Sequence, residues 1–179
     1  KTTLLERTIA HLKDDLRLAV IEGDLFTDKD ADRIAQHNVP VIQINTNGGC
    51  HLDAPMVEEV LGDLDLDKLD VVIIENVGNL VCPAEFVVGE DMKVTVLSIT
   101  EGDDKPLKYP LMFQVCDVVL INKVDTMPYF DFNLEVCKEN IWKRNPNAHI
   151  IPISAKTGEG IDEWTDWLRS VCRKNREGN

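Results

Sequence analysis

Short apolar runs alternate with segments of helical periodicity along most of the chain. The apolar runs are four to six residues long and rich in Val, Ile and Leu, which is typical of buried strands. This alternation is the pattern of βαβ units, so we predict an α/β fold with a mostly parallel central sheet flanked by helices in three layers. The predicted strands are residues 18–21, 41–44, 71–74, 94–99, 118–121 and 150–153, and the predicted helices are residues 4–15, 28–37, 53–61, 106–115, 133–144 and 160–173.

The tetrapeptide Asn122-Lys123-Val124-Asp125 follows directly on the predicted strand 118–121. The Asp carboxylate can accept hydrogen bonds from guanine N1–H and from the 2-amino group, donors that adenine does not present at those positions. A wrong base would leave this carboxylate desolvated and unpaired. The motif therefore predicts binding of GTP and GDP rather than ATP, by Asn122, Lys123 and Asp125. A surface turn is the ordinary alternative for so short a string.

A second loop, Ser154-Ala155-Lys156, follows the predicted strand 150–153. This is the usual place for a loop whose backbone amide reaches guanine O6 and so reinforces the choice of base. An ordinary strand-to-helix turn is the alternative, but the order and spacing of the two motifs favour a nucleotide site.

The first residues, Lys1-Thr2-Thr3, resemble the last three residues of the phosphate-binding motif G-x-x-x-x-G-K-[ST]. In that motif the Lys reaches the β- and γ-phosphates and the next hydroxyl binds Mg²⁺. These residues predict a P-loop NTPase fold, with the given sequence beginning inside its own phosphate loop. An ordinary helix start is the other interpretation.

Acidic residues follow two of the predicted strands. Strand 18–21 is followed by Glu22-Gly23-Asp24, and strand 71–74 by Glu75-Asn76-Val77-Gly78. Ligands bind at the carboxyl edge of parallel sheets, so these side chains are candidates for a nucleotide site. We expect Glu75 to hold Mg²⁺ through water and the Gly78 amide to sense the γ-phosphate. Asp24 either contributes to the Mg²⁺ site or positions the attacking water.

A thiol and an imidazole stand side by side in Gly48-Gly49-Cys50-His51-Leu52-Asp53. Together they form a half-site suited to zinc or nickel, and Cys82 offers a third ligand. Asp53 either caps the following helix or orients the imidazole. A two-fold dimer would double every ligand and build a shared site. The alternative is that Cys50 and Cys82 are buried structural cysteines and that His51 is an ordinary residue at a helix start. For Cys116, Cys137 and Cys172 we prefer the interpretation as buried structural cysteines.

Composition narrows the class of protein. With 179 residues, of which 44% are hydrophobic, the chain can bury one sizeable core, and we expect a single domain over residues 1–179. A net charge of −13 argues against binding to nucleic acid or anionic membranes, and no apolar run is long enough to span a bilayer. Five cysteines without a CxxC pair predict a reducing, cytoplasmic compartment.

These motifs together resemble the HypB family of hydrogenase maturation factors, which are nickel-inserting GTPases. The similarity runs along nearly the whole chain and includes strings far longer than a generic nucleotide motif. They are Glu22-Gly23-Asp24, Gly49-Cys50-His51-Leu52-Asp53-Ala54, the segment from Ile74 to Ala84, Thr100-Glu101-Gly102-Asp103-Asp104-Lys105-Pro106 and Asn122-Lys123-Val124-Asp125.

The resemblance implies a GTPase that forms a homodimer when GTP is bound. It also implies that Cys50, His51 and Cys82 hold nickel or zinc at the dimer interface. The implied partners are a small zinc-containing protein of the HypA type and the large subunit of a nickel-iron hydrogenase. The related urease accessory GTPases carry a Cys-Pro-His metal motif, so Cys50-His51 favours the hydrogenase branch.

For hydrolysis we predict that water attacks the γ-phosphoryl group while Lys1 and Mg²⁺ stabilise its charge, with Thr2, Asp24 and Glu75 around the ion. Two other classes of protein stay open at this point. One is a regulatory GTPase that needs no transition metal, and the other is a storage or structural zinc protein.

Overall fold

The structure is a computed structural model that describes residues 1–24 and 29–177. The chain divides into two compact units. The first comprises Lys1–Gly89 together with the C-terminal helix from Asp162 onwards, and the second comprises Glu90–Ile161.

The first unit is built on a three-stranded parallel sheet with β1 in the centre. Its strands are β1 (Leu18–Asp24), β2 (Val41–Asn45) and β3 (Val71–Glu75), in the order β2-β1-β3. Its helices are α1 (Thr2–Leu12), α2 (Lys29–Ala35), α3 (Ala54–Leu61), the four-residue α4 (Cys82–Glu85) and α8 (Ile161–Glu177), and a 3-10 turn covers Leu66–Lys68.

Two groups of buried side chains form the core of this unit. The first includes Ile9 and Leu12 of α1, Val20 of β1, Ile34 of α2 and Cys172 of α8. Trp164 of α8 is buried, and its Nε1 donates to Thr8 Oγ1 at 2.9 Å, so this helix packs on α1. The second group consists of Ile21, Ile44, Leu52 and Val57.

The second unit has its own three-stranded parallel sheet, in the order β4-β5-β6. The strands are β4 (Val94–Ser98), β5 (Val118–Asn122) and β6 (His149–Ile153). All five residues of β5 are buried, which explains the unbroken apolar run in the sequence. The helices are α5 (Lys105–Lys108), α6 (Pro110–Gln114) and α7 (Leu134–Arg144), and 3-10 turns cover Ile99–Glu101 and Val124–Tyr129.

The predicted α/β class and parallel strand pairing are confirmed. The single helix predicted over residues 106–115 is wrong: α5 and α6 are separate, because Pro110 restricts Tyr109 to a non-helical conformation (φ −125°, ψ 61°). The strand predicted over residues 94–99 ends at Ser98 in the structure, and β1 continues beyond its predicted apolar run to Asp24. Residue 28 of the predicted helix 28–37 lies outside the described residues.

No helix among the described residues is both long and apolar enough to cross a membrane. A single GTPase domain over residues 1–179 stays a prediction.

Gly23 and Leu52 tie β1 to the loop that carries the Cys-His pair. A Cβ at Gly23 would lie 2.7 Å from Leu52 Cγ and Cδ1, and Leu52 is fully buried. We therefore expect Gly23→Ala to lower the free energy of unfolding by about 1–3 kcal/mol through overpacking, measured by urea unfolding.

Gly62→Ala is the matched control, because Gly62 has φ −64° and a Cβ there meets nothing within 4 Å. It should be neutral or stabilising by up to about 1 kcal/mol. Equal stability changes for the two variants would show that the contact with Leu52 does not restrict position 23.

Candidate nucleotide and metal sites

Two carboxyl groups lie side by side where β1 and β3 run parallel. The register pairs Glu22 with Glu75, and Glu22 is only 4% exposed. Among the buried side-chain oxygens and nitrogens of the described residues, Glu22 Oε2 and Glu75 Oε2 are the ones without a hydrogen-bond partner. Buried oxygens of this kind are suited to a cation or to the water molecules around it.

Lys1 lies at the same end of β3, although 74 positions separate it in sequence from Glu75. Its Nζ donates to the carbonyl oxygen of Asn76 and lies 3.7 Å from Glu75 Oε1. A Cβ at Gly78 would lie 3.8 Å from Lys1 Cε, so the Gly78 backbone also approaches this side chain. The structure therefore brings Lys1, Glu75 and Gly78 together, and their roles at phosphate and Mg²⁺ stay predictions.

The proximity of the two carboxyl groups affects the protonation of Glu22. The pKa of Glu22 is raised to about 8, chiefly because burial disfavours its charged form and also because of the neighbouring Glu75, with Lys1 acting in the opposite direction. The sequence prediction assigned Asp24 and Glu75 to this site and gave Glu22 no role. The strand register is the feature that places Glu22 beside Glu75.

The sequence also predicts that Thr2, Thr3 and Asp24 lie near the phosphates. Thr2 is buried as the first residue of α1, and Asp24 is the last residue of β1. The backbone carbonyl of Asp24 accepts from Thr46 N at 3.0 Å. Thr3 Oγ1 accepts from Arg33 Nη2 at 3.2 Å, so the structure ties this hydroxyl to α2.

The three predicted nickel or zinc ligands form a cluster. Cys50 Sγ lies 2.8 Å from Cys82 Sγ and 3.5 Å from His51 Nδ1. One potential ligand atom from each residue lies within 4.8 Å of the others, and both thiols are free. Two sulfurs and an imidazole are the donor set that zinc and nickel accept, and they leave room in a four-coordinate shell for a further ligand.

Hydrogen bonds and ring stacking hold this cluster in place. Asn79 Oδ1 accepts from Cys82 N at 2.9 Å, and Asn79 Nδ2 donates to the carbonyl oxygen of Cys50. The His51 ring stacks on Phe86 with centroids 3.8 Å apart. Asp53 Oδ1 accepts from Met56 N at 3.0 Å, so of its two predicted roles the structure shows that of the cap of α3.

The other three cysteines are buried, as expected for small apolar side chains. Burial raises the pKa values of Cys116 and Cys172 and raises that of Cys137 to about 12. Thiols that resist ionisation in this way are poor metal ligands and poor nucleophiles.

The two predicted base-binding loops meet in the second unit. Asn122 Oδ1 accepts from Lys123 N at 2.7 Å and from Ala155 N at 3.2 Å, and Asp125 Oδ1 accepts from Ser154 Oγ at 2.6 Å. Lys123 adopts a left-handed conformation with φ +68°. The side chain of Lys156 is exposed. The hydrogen bond from Ser154 orients the Asp125 carboxylate, and binding of guanine by these loops stays a prediction.

The family model described as CobW/HypB/UreG, nucleotide-binding domain, matches residues 1–152. The hydrogenase maturation factor HypB of Escherichia coli K12 is 53% identical over 170 residues, which are 95% of this chain and 59% of that protein. The chain belongs to the CobW/HypB/UreG family, in its HypB branch.

Solved structures agree with this assignment. HypB from Helicobacter pylori, crystallised in complex with nickel, has a TM-score of 0.90 and 43% identity, with 97% of this chain and 82% of that chain covered. HypB from Archaeoglobus fulgidus has a TM-score of 0.88 and 37% identity, with 96% and 83% covered. The predicted P-loop NTPase fold is therefore confirmed. The chain spans 59% of the length of its E. coli relative.

We expect Glu22→Gln to remove a pH dependence from the stability of the magnesium-free protein. Because the pKa of Glu22 is raised to about 8, the folded protein keeps a proton that the unfolded protein loses near pH 4.5. The free energy of unfolding should therefore fall as pH rises through this window, by at most about 1.4 kcal/mol per pH unit.

Urea unfolding from about pH 5 to about pH 8 measures this slope, which is expected to flatten in Glu22→Gln and to persist in Glu59→Gln. Glu59 is an exposed residue of α3 and serves as the matched control. An equal slope in all three proteins would contradict the assignment of the proton to Glu22.

Proposed function

We propose that this protein is a GTP-hydrolysing metallochaperone that binds nickel, or zinc, at a GTP-dependent dimer interface. Its cargo would be delivered for the maturation of a nickel-iron hydrogenase. The observation that carries the proposal is the cluster of Cys50, His51 and Cys82, which lies in the same unit as Lys1 and Glu75. Membership of the HypB branch supports it.

GTP hydrolysis would depend on the residues at the ends of β1 and β3. Lys1 would bind the β- and γ-phosphates, since its ammonium group already lies beside Glu75. Thr2, Asp24 and Glu75 would hold Mg²⁺, which supplies charge neutralisation on the phosphates when it is bound. The unpartnered Glu75 Oε2 fits this role, and Asp24 alternatively positions the attacking water.

Nickel would complete its coordination with ligands from a second copy of the chain. The cluster supplies three donors, and Cys50 is exposed, so a two-fold contact through this loop would bring a second set of donors to the same ion. The H. pylori HypB was crystallised with nickel, which favours nickel as cargo here. Zinc accepts the same thiolate and imidazole donors.

The proposed partners are those of a nickel delivery pathway. We infer a homodimer in the GTP state, a small zinc-containing accessory protein of the HypA type, and the large subunit of a hydrogenase. A net charge of −13 disfavours nucleic acid and anionic lipid as partners. We place the protein in the cytoplasm, where free thiols such as Cys50 and Cys82 stay reduced.

The double variant Cys50→Ala/His51→Ala tests metal binding by removing two of the three donors. We expect it to lose stoichiometric nickel binding in equilibrium dialysis, with a fall in affinity of at least about 100-fold. His37→Ala is the control, because His37 lies outside the cluster. Unchanged nickel stoichiometry in the double variant would instead favour a regulatory GTPase that needs no transition metal.

Asp125→Ala tests the choice of base. Removing the carboxylate takes away the acceptor for guanine N1–H and the 2-amino group, so GTP affinity should fall about 100-fold and the preference over ATP should disappear. Titration with fluorescent GTP and ATP analogues measures both effects. Asp131→Ala changes an exposed carboxylate in the same unit and should bind GTP normally. Retained preference for GTP in Asp125→Ala would exclude the proposed base site.

A further inference from the structure

Asn79 joins both thiol-bearing segments through one side chain. Its Oδ1 accepts from Val81 N and from Cys82 N, each at 2.9 Å, and its Nδ2 donates to the carbonyl oxygen of Cys50. A side-chain amide can accept through its oxygen and donate through its nitrogen at the same time. The Asn79 side chain therefore bridges the two segments that carry the thiols.

The segment that carries Asn79 begins at the nucleotide residues. The Asn76 carbonyl accepts from Lys1 Nζ, and the Gly78 backbone lies against the same lysine side chain. Asn76 Oδ1 also accepts from Leu52 N at 2.9 Å, in the loop that carries the Cys-His pair. Asn79 thus immediately follows the glycine expected at the γ-phosphate.

We propose that Asn79 is a positioning residue that couples the nucleotide state to nickel affinity. When Lys1 turns to the γ-phosphate it must exchange its contacts with Asn76 and Glu75, and the segment 76–79 is then free to move. Because Asn79 holds Cys82 and Cys50 together, that movement changes the geometry of the two thiols. This inference rests on the proposed function and names a residue through which the nucleotide site and the nickel site would affect each other.

Thermodynamic linkage makes the effect reciprocal. If the GTP state changes nickel affinity, nickel changes GTP affinity by the same factor, and such factors are typically about 5–150. A residue that only builds the metal site would alter nickel affinity equally in both nucleotide states. A coupling residue would alter the ratio of the two affinities.

The test measures that ratio in the full-length protein. Nickel dissociation constants are determined by competition with a chromogenic chelator, with Mg²⁺ and either GDP or a non-hydrolysable GTP analogue. We expect a ratio of at least about 5 for the unaltered protein and a ratio within about 2-fold of unity for Asn79→Ala. Asn79→Asp keeps the acceptor for Cys82 N and loses the donor to Cys50, so its ratio should also fall.

Asn45→Ala is the matched control, because Asn45 Oδ1 accepts from Asn47 N at 2.8 Å in the loop before Cys50 and, among the described contacts, makes no bond to Cys82. It should keep the ratio of the unaltered protein. Urea unfolding of each variant checks that the first unit, which carries both substituted positions, is folded.

Three results would overturn the inference in distinguishable ways. A ratio unchanged in Asn79→Ala and Asn79→Asp would leave the proposed function standing and remove Asn79 from the coupling. Loss of nickel binding in both nucleotide states of both variants would assign Asn79 to building the site. Failure of the unaltered protein to bind nickel, or a ratio of one, would contradict the proposed function itself.

Discussion

The parallel pairing of β1 with β3 is the constraint on which the first unit depends. Its register sets Glu22 opposite Glu75, so two carboxyl groups share one poorly solvated place at the carboxyl edge of the sheet. Such a pair is costly unless a proton or a cation neutralises it. The proton kept by Glu22, whose pKa is raised, and the nearby ammonium group of Lys1 both reduce the repulsion between the two carboxyl groups. A bound Mg²⁺ would reduce it further.

The same strand end also organises the metal cluster. The chain leaves β3 through Asn76, whose carbonyl and side chain reach Lys1 and Leu52, and Asn79 then fixes Cys82 against Cys50. The residues proposed for nucleotide binding and those proposed for nickel binding are therefore joined by one continuous segment. In the second unit, the loops predicted to bind the base are joined by hydrogen bonds from Lys123 N and Ala155 N to Asn122 Oδ1 and from Ser154 Oγ to Asp125 Oδ1.

Most of the fold and of the site could be predicted because strong local patterns encode them. Buried parallel strands have unbroken apolar runs, and their carboxyl ends mark the ligand edge, which is how Glu75 was predicted, whereas Cys50, His51 and Cys82 were predicted from the adjacent thiol and imidazole in the sequence. Glu22 received no specific role in the sequence prediction, because it is a strand residue beyond the apolar run, where only pairing with another strand reveals its neighbour. Helix α4 is a single turn, too short for periodicity to detect, and the role of Asn79 depends on contacts between distant segments.

Light scattering combined with bound-metal analysis tests the central claim most directly: that GTP assembles two copies of the chain around shared nickel. The full-length protein would be measured with nickel and either GDP or a non-hydrolysable GTP analogue. The paired half-sites predict a dimer carrying about one nickel per two chains with the GTP analogue and a smaller, less loaded species with GDP. A metal-free monomer in both nucleotide states would contradict the claim.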